Sequence, residues 1–417
     1  MIESRGKMST RRAATSAEGF QETASVLVFN VGSSSLSLRL YRHSQELLRG
    51  KCHRVGVTSA QPSFAEYQHS TTFAHINACF SDHLSAARHA LDYLAANHFT
   101  FDAVGHRYGH GGDSSADGIV LDERSRLELE RIVSLAPLHN SAALAIVDLI
   151  DERQPSTPQF VVFDSTFHRG LPEVARTYAL PIDMAMLYRK HGYHGLSYAD
   201  VVEKAAWYLG EEHFKAVALH LGTGGSSACA IVDGRSVDTS MGYSPLQGLV
   251  MNTRCGDLDP GVVIDLMRKG LSADELARLL HSESGLYGLS GRQSSDLRDL
   301  IAIMPQVQNA RLAFDLYVYR VKQYIGAYAA VMNGLDLLIF TDDVGLRVPE
   351  VRREVCRDMD YLGISLDEKA NMSARPDVIE PLHGQNSRVR ILAIPNDEER
   401  AIYDQGLRLL AQGRTLD

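Results

Sequence analysis

Two segments about 190 residues apart in this chain are built on one plan. VLVFNVGSSS (26–35) is an apolar run followed by Asn, Gly and serines; AVALHLGTGGSS (216–227) is an apolar run followed by His, Gly, Thr, glycines and serines. Each reads as a strand entering a tight turn of small residues, where backbone N–H groups and hydroxyls approach phosphate oxygens closely. Taken singly, each is equally the sequence of an ordinary β-hairpin. The pair points to a duplicated domain with one phosphate loop in each half. Phe160–Phe163, Leu337–Phe340 and Val389–Ile394 read as further buried strands. Helical spacing of apolar residues marks 83–97, 140–151, 199–209, 273–281, 308–333 and 397–411. The mixture predicts an α/β architecture. A chain of 417 residues suits two domains, and no Gly/Ser/Pro-rich linker separates them.

The formal charge of −9 argues against nucleic acid or an anionic membrane as main partner, since both require a basic surface. The five cysteines are odd in number, widely spaced and without a CxxC, so neither a disulfide framework nor a zinc ribbon fits, and a cytoplasmic setting does. No apolar run approaches the ~18–20 residues of a membrane span. Residues 1–24 lack the apolar core of a signal peptide and read as a disordered extension, with Met8 as an alternative start. Neither a Walker A loop nor a GxGxxG fingerprint is present, which removes the P-loop and Rossmann readings.

Phosphoryl transfer asks a protein for cations around the equatorial oxygens, a metal site and alignment. HRYGHGG (106–112) sets Arg107 before a glycine turn, where a guanidinium can clamp a carboxylate or phosphate. MNTRCGDLDPG (251–261) sets Arg254 before Asp257 and Asp259, which is also what a local ion-pair loop looks like. VFDSTFH (162–168) ends an apolar strand at Asp164, the position where open α/β sheets meet ligands. In KHGYHG (190–195), His191 and His194 would hold a metal only with further ligands, so a hydrogen-bonding His194 is the better reading.

In order along the chain, VLVFNVGSSSLSL, GHRYGHGG, LAPLHN, FDSTFHRGLP, YHGLSY, HLGTGGSS, DTSMGYSPLQGLVMNTRCGDLDP, GLSGRQSSDLRDL and YRVKQYIGAYAAV resemble successive motifs of the acetate kinase family. The resemblance implies the sugar kinase/actin/Hsp70 superfamily fold: two duplicated actin/ribonuclease H-like domains, residues 25–165 with 398–417 and residues 166–397, with the active site in the cleft between them. It also implies a homodimer and Mg²⁺-dependent transfer of phosphoryl between ATP and acetate or another short-chain carboxylate. Carried over residue by residue, Asp164, His194 and Arg254 are catalytic. Arg107 clamps the substrate, with Gly109, Leu138, Tyr193 and Pro245 around its acyl group. Asn30 and Glu398 hold the metal. Ser33, Ser35, Ser37, His220, Gly222, Thr223 and Gly224 lie along the phosphates, and Ser294, Asp296, Arg298, Asp343, Val344, Gly345 and Arg347 around the nucleotide. Arg107→Ala or Arg254→Ala is then expected to remove most turnover while the fold survives.

The chain departs from the family pattern in four places. Ser37 replaces a lysine of the first loop. HLGTGG places Thr223 where the family has asparagine. TDDVGLR (341–347) replaces TAGIGEN, so Asp343 stands where a glycine approaches the nucleotide. A carboxylate ~4 Å from a phosphate charge costs on the order of 4 kcal/mol at an effective dielectric of 20 unless it turns away or Arg347 compensates. These three fall on the donor side and leave pyrophosphate/phosphate open beside ATP/ADP as the donor couple. They also leave open a non-catalytic relative that binds phosphate ligands, or an acyl phosphatase. Fourth, Gly109 and Tyr193 replace valine or alanine and phenylalanine. The smaller residue opens room for propionate, unless the Tyr193 hydroxyl refills it; each buried CH₂ is worth ~0.8 kcal/mol.

Overall fold

The computed structural model describes residues 24–32, 34–56, 62–112, 116–133 and 137–412, with side chains from 139 in the last segment. Residues 1–23 of the expected extension, Met8 among them, fall outside it, as do Ser33 and the side chain of Leu138. The chain forms two compact units, Met1–Thr166 with Asp397–Asp417, and Phe167–Asn396.

The first unit holds strands β1 (Ser25–Val31), β2 (Ser35–Arg42), β3 (Gln45–His53), β4 (Phe64–His69), β5 (Thr72–Asn77), β6 (Ala103–Tyr108), β7 (Gly118–Val120) and β8 (Gln159–Phe163). They form one sheet in the order β5-β4-β3-β2-β1-β6-β8-β7. The second unit holds β9 (Lys215–Leu221), β10 (Ser226–Val232), β11 (Arg235–Thr239), β12 (Leu337–Thr341), β13 (Glu380–Pro381) and β14 (Arg390–Ala393), in the order β11-β10-β9-β12-β14-β13. Each sheet opens with a run of consecutive antiparallel strands, β1 to β5 in the first and β9 to β11 in the second, and continues with two strands parallel to the first of the run, β6 and β8 or β12 and β14. The sequence echo is therefore a repeated topology, and both echoed segments are antiparallel hairpins whose turns carry the small residues.

Strand parity decides which side chains reach which face. On β1 and β2, Leu27, Phe29, Val31, Leu36, Leu38 and Leu40 pack beneath the helices His83–Ala96 and Pro137–Arg153. Asn30, Ser37 and Arg39 alternate with them and so share the other face, where the helix Glu398–Gln412 lies. On β9, Val217, Leu219 and Leu221 pack against the long helix Gln308–Val331. Ala216, Ala218 and therefore His220 face the helix Gly195–Leu209, which contributes Tyr198, Val201 and Ala205 to that side. Among the described residues no helix is long and apolar enough to cross a membrane.

Candidate active site

In the first unit the parallel pairing of β6 and β8 sets Arg107 opposite Val162, so the residue after β8, Asp164, comes level with the arginine. Arg107 Nη2 donates to Asp164 Oδ2 at 2.6 Å, and Nη1 donates to the Val31 carbonyl at 3.1 Å. Asp164 is fully buried and Arg107 nearly so. Burial works against the guanidinium charge, but Asp164, Glu398 and Glu399 outweigh it and hold Arg107 above its ordinary value. Arg107 Nε is buried without a hydrogen-bond partner among the described residues. Such a donor is costly to bury unless something accepts from it, and an anionic substrate oxygen would. The ion pair also alters the expectation for Arg107→Ala, because removing the arginine takes the cationic partner from a buried carboxylate and burdens the fold.

Asn30 Nδ2 donates to Glu398 Oε2 at 2.9 Å and to Glu399 Oε1 at 3.0 Å. The start of the C-terminal helix is fixed further by Arg39, which reaches Asp397 at 2.8 Å and Glu399 at 3.3 Å. No group of three or more His, Cys, Asp or Glu able to cage a metal occurs among the described residues. A hard cation such as Mg²⁺ does not call for such a cage, since it keeps waters and takes one or two carboxylates together with substrate phosphates. Glu398 and the amide oxygen of Asn30 are oxygen donors of that kind. Ser37 lies directly across the β1–β2 ladder from Asn30, and Ser35 is two residues away on the same face. Gly109 is buried and its N–H donates to Asn140 Oδ1 at 2.9 Å. Asn140 is fully buried and was not singled out in the sequence.

In the second unit parity brings histidines together. The rings of His194 and His220 stack with centroids 3.9 Å apart. His194 pairs with Ser227 Oγ at 2.8 Å, and Tyr198 bonds the same hydroxyl. His220 Nδ1 pairs with Ser197 Oγ at 2.9 Å. His194 holds φ +60°, a left-handed conformation that costs an L-residue free energy and gathers at functional sites. Gly225 is where His194 and Arg254 converge: a Cβ there would meet Arg254 Nη1 at 3.1 Å and His194 Cε1 at 3.8 Å. Arg254 is buried, with Nη1 3.5 Å from the Pro245 carbonyl and from Met251 Sδ. Pro245 is half-buried. Tyr193 is buried and its hydroxyl donates to the Tyr243 carbonyl at 3.2 Å. Asp257 ties the loop after Arg254 by accepting from Gly248 N–H and Tyr324 Oη, and Asp259 caps the helix Pro260–Arg268.

The rebuilt donor-side segments meet each other. Asp343 accepts from Thr223 N–H at 2.9 Å and from Thr223 Oγ1 at 3.0 Å, as well as from Val344 N–H. Burial, then Asp342, push the Asp343 carboxyl above the usual range, while Thr223 and Arg298 oppose them. The compensating cation is thus Arg298, whereas Arg347 is exposed and forms no ion pair among the described residues. Arg298 itself donates to Asp296 Oδ1 at 2.9 Å. Burial would raise the Asp296 carboxyl, but the Arg298 side chain and N–H outweigh it and hold it below the usual range. Ser294 Oγ accepts from Asp296 N–H and donates to Asp299. Val344 and Gly345 are buried, Gly222 is buried and Gly224 half-buried. Arg352, absent from the sequence reading, is 1% exposed and forms no salt bridge among the described residues; it donates to the carbonyls of Gly345 and Leu346 and to Asn371. Burial lowers it to about 10. It fastens the short helix Asp342–Arg347 from its C-terminal end.

Residues 25–404 match the family model described as "Acetokinase family". The chain belongs to the acetokinase family. It is 38% identical over 403 residues to an acetate kinase of Campylobacter concisus, covering 94% of this chain and all of that protein. Among solved structures, Porphyromonas gingivalis acetate kinase superposes with a TM-score of 0.80 at 34% identity, covering 93% of this chain and all of that one. A propionate kinase from Francisella tularensis superposes with a TM-score of 0.82 at 29% identity, covering 92% of this chain and 98% of that one. The α/β fold with its two repeated sheets is the acetokinase form of the actin/ribonuclease H-like fold.

Proposed function

We propose that the protein is an acetate kinase that reversibly transfers a phosphoryl group between ATP and acetate or propionate, giving ADP and the acyl phosphate. The convergence of Arg254 and His194 over the bare backbone of Gly225 carries this reading. Such a pair meets the negative charge spread over the equatorial oxygens of a phosphoryl group in flight. Arg107 clamps the acyl carboxylate, and Asp164 holds the guanidinium charged and oriented for it. Gly109, Leu138, Tyr193 and Pro245 surround the acyl group. The serines of the first hairpin, Ser33, Ser35 and Ser37, and the second loop, with His220, Gly222, Thr223 and Gly224, serve the phosphates. Ser294, Asp296, Arg298, Asp343, Val344, Gly345 and Arg347 serve the nucleotide. Asn30 and Glu398 hold Mg²⁺, which when bound supplies positive charge to the donor phosphates.

ATP is favoured as donor because Asp343 is occupied by Thr223 and faces Arg298, so its charge is partly met before any phosphate arrives. The exposed apolar residues Val174, Ile182 and Leu187 support a homodimer, and five free cysteines support a cytoplasmic enzyme. The test supplies acetyl phosphate and Mg²⁺ with either ADP or inorganic phosphate. ATP formation is expected; pyrophosphate without ATP, phosphate release with no acceptor, or no turnover would each refute the proposed donor chemistry. Run in reverse, kcat/KM for propionate is expected to equal or exceed that for acetate, and a value far below it would remove the enlarged acyl pocket.

A further inference from the structure

Asp342 lies in the rebuilt TDDVGLR segment, directly after β12, and was not assigned a role in the sequence. It holds φ +63°, a left-handed conformation that non-glycine residues adopt at a cost. That backbone carries its carboxylate onto the second phosphate loop. Asp342 Oδ2 lies 3.0 Å from His220 Nε2. A Cβ built on Gly222 would lie 2.1 Å from the same oxygen, so the carboxylate rests on the bare backbone that a glycine loop ordinarily offers to a phosphate. The neighbouring donors are taken in the same way, since Thr223 N–H and Oγ1 both donate to Asp343. The Gly222 and Gly225 amides donate to one another's carbonyls across the turn.

We propose that Asp342 is a donor-specificity residue, its carboxylate lying over Gly222 in the second phosphate loop and competing with the terminal phosphate of the nucleotide for His220 and for the space above that glycine. The proposal rests on the reading that this loop receives the donor phosphates. Donor entry then requires the Asp342–His220 pair to open, so donor affinity is held down while acyl phosphate affinity is not. The cost scales with the charge brought against the carboxylate, which favours a phosphate partner whose binding draws on contacts beyond its phosphates, such as a nucleoside di- or triphosphate, over free phosphate or pyrophosphate.

Two variants test this. Asp342→Asn keeps shape and tolerates the left-handed backbone while removing the charge; Asp342→Gly removes the side chain and the backbone strain. ADP binding is measured by titration calorimetry on the full chain with Mg²⁺, beside KM for ADP and for acetyl phosphate. Both variants are expected to bind ADP roughly tenfold more tightly, with KM for ADP falling in parallel and KM for acetyl phosphate unmoved. A merely structural role for Asp342 would weaken donor binding instead. Unchanged or weaker ADP binding in both variants, with turnover of acetyl phosphate intact, overturns the proposal alone. Tighter ADP binding without ATP formation by any of the three proteins leaves it standing and sinks the acetate kinase reading. If ADP binds to none of them, the proposal is overturned.

Discussion

Replacing Arg107 by alanine removes the cationic half of a pair in which Asp164 is 0% and Arg107 9% exposed at the side chain. Asp164 is shielded from water, since it follows directly on a strand buried along its whole length. Breaking a buried pair by deleting one partner typically costs about 3–5 kcal/mol. For a unit of this size each kcal/mol lowers the melting temperature by about 2–4 °C, so Arg107→Ala should melt about 6–20 °C below the unaltered protein. The double variant Arg107→Ala/Asp164→Asn replaces the buried carboxylate with a neutral amide and should recover much of that loss, yet remain inactive, because the substrate clamp is still missing. Differential scanning calorimetry reads stability, and ATP formation from acetyl phosphate reads turnover. Calorimetry is preferable to fluorescence because the single tryptophan, Trp207, is exposed and lies in the other unit. A single variant melting within about 2 °C of the parent would refute the reasoning, since it would put the pair's contribution no higher than that of an ordinary surface bridge, about 1 kcal/mol or less. A double variant no more stable than the single would refute it as well.

Two further outcomes follow from the same geometry. Arg254→Ala should lower kcat about 10²–10³-fold in a protein that still folds, because the guanidinium beside His194 meets charge that develops only during transfer. Near-normal kcat in the folded variant would remove its assigned role. Burial lowers fully buried His106 to about 4 despite its bond to Gln159. The unfolded chain, with an ordinary value near 6.5, therefore binds the proton first, and stability is full above about pH 6.5 and falls as the pH drops toward 4, by about 3 kcal/mol for this group. His106→Gln should flatten that part of the acid limb in calorimetric scans from pH 7 to 4; an unchanged slope would mean that His106 is not neutral in the fold.

Much of the scaffold was legible because its signals are local. Apolar runs marked β1, β8, β9, β12 and β14, and helical spacing marked six helices, the long Gln308–Val331 among them. The outer strands β3 to β5 were not marked, because they lie toward the sheet edge and mix exposed with buried positions. Arg107, Asp164, His194 and Arg254 stood out through their motifs, whereas Asn30 and Glu398, 368 residues apart, came only from the resemblance. Arg352 was not, because an arginine in PEVRREVC has the pattern of an exposed helix and its partners are mostly backbone carbonyls, which every sequence contains.

The sequence by itself determined the α/β class, the duplication and the residue types on offer, since these depend on periodicity and on the side chains present. It raised the question of Asp343 without answering it, because whether a carboxylate opposes a phosphate depends on where it points. The tertiary structure decided that. Pairing β12 beside β9 brings the TDDVGLR turn against the HLGTGG loop, so Thr223 answers Asp343 and His220 answers Asp342. Two substitutions about 120 positions apart on the chain become partners because parallel neighbouring strands end side by side.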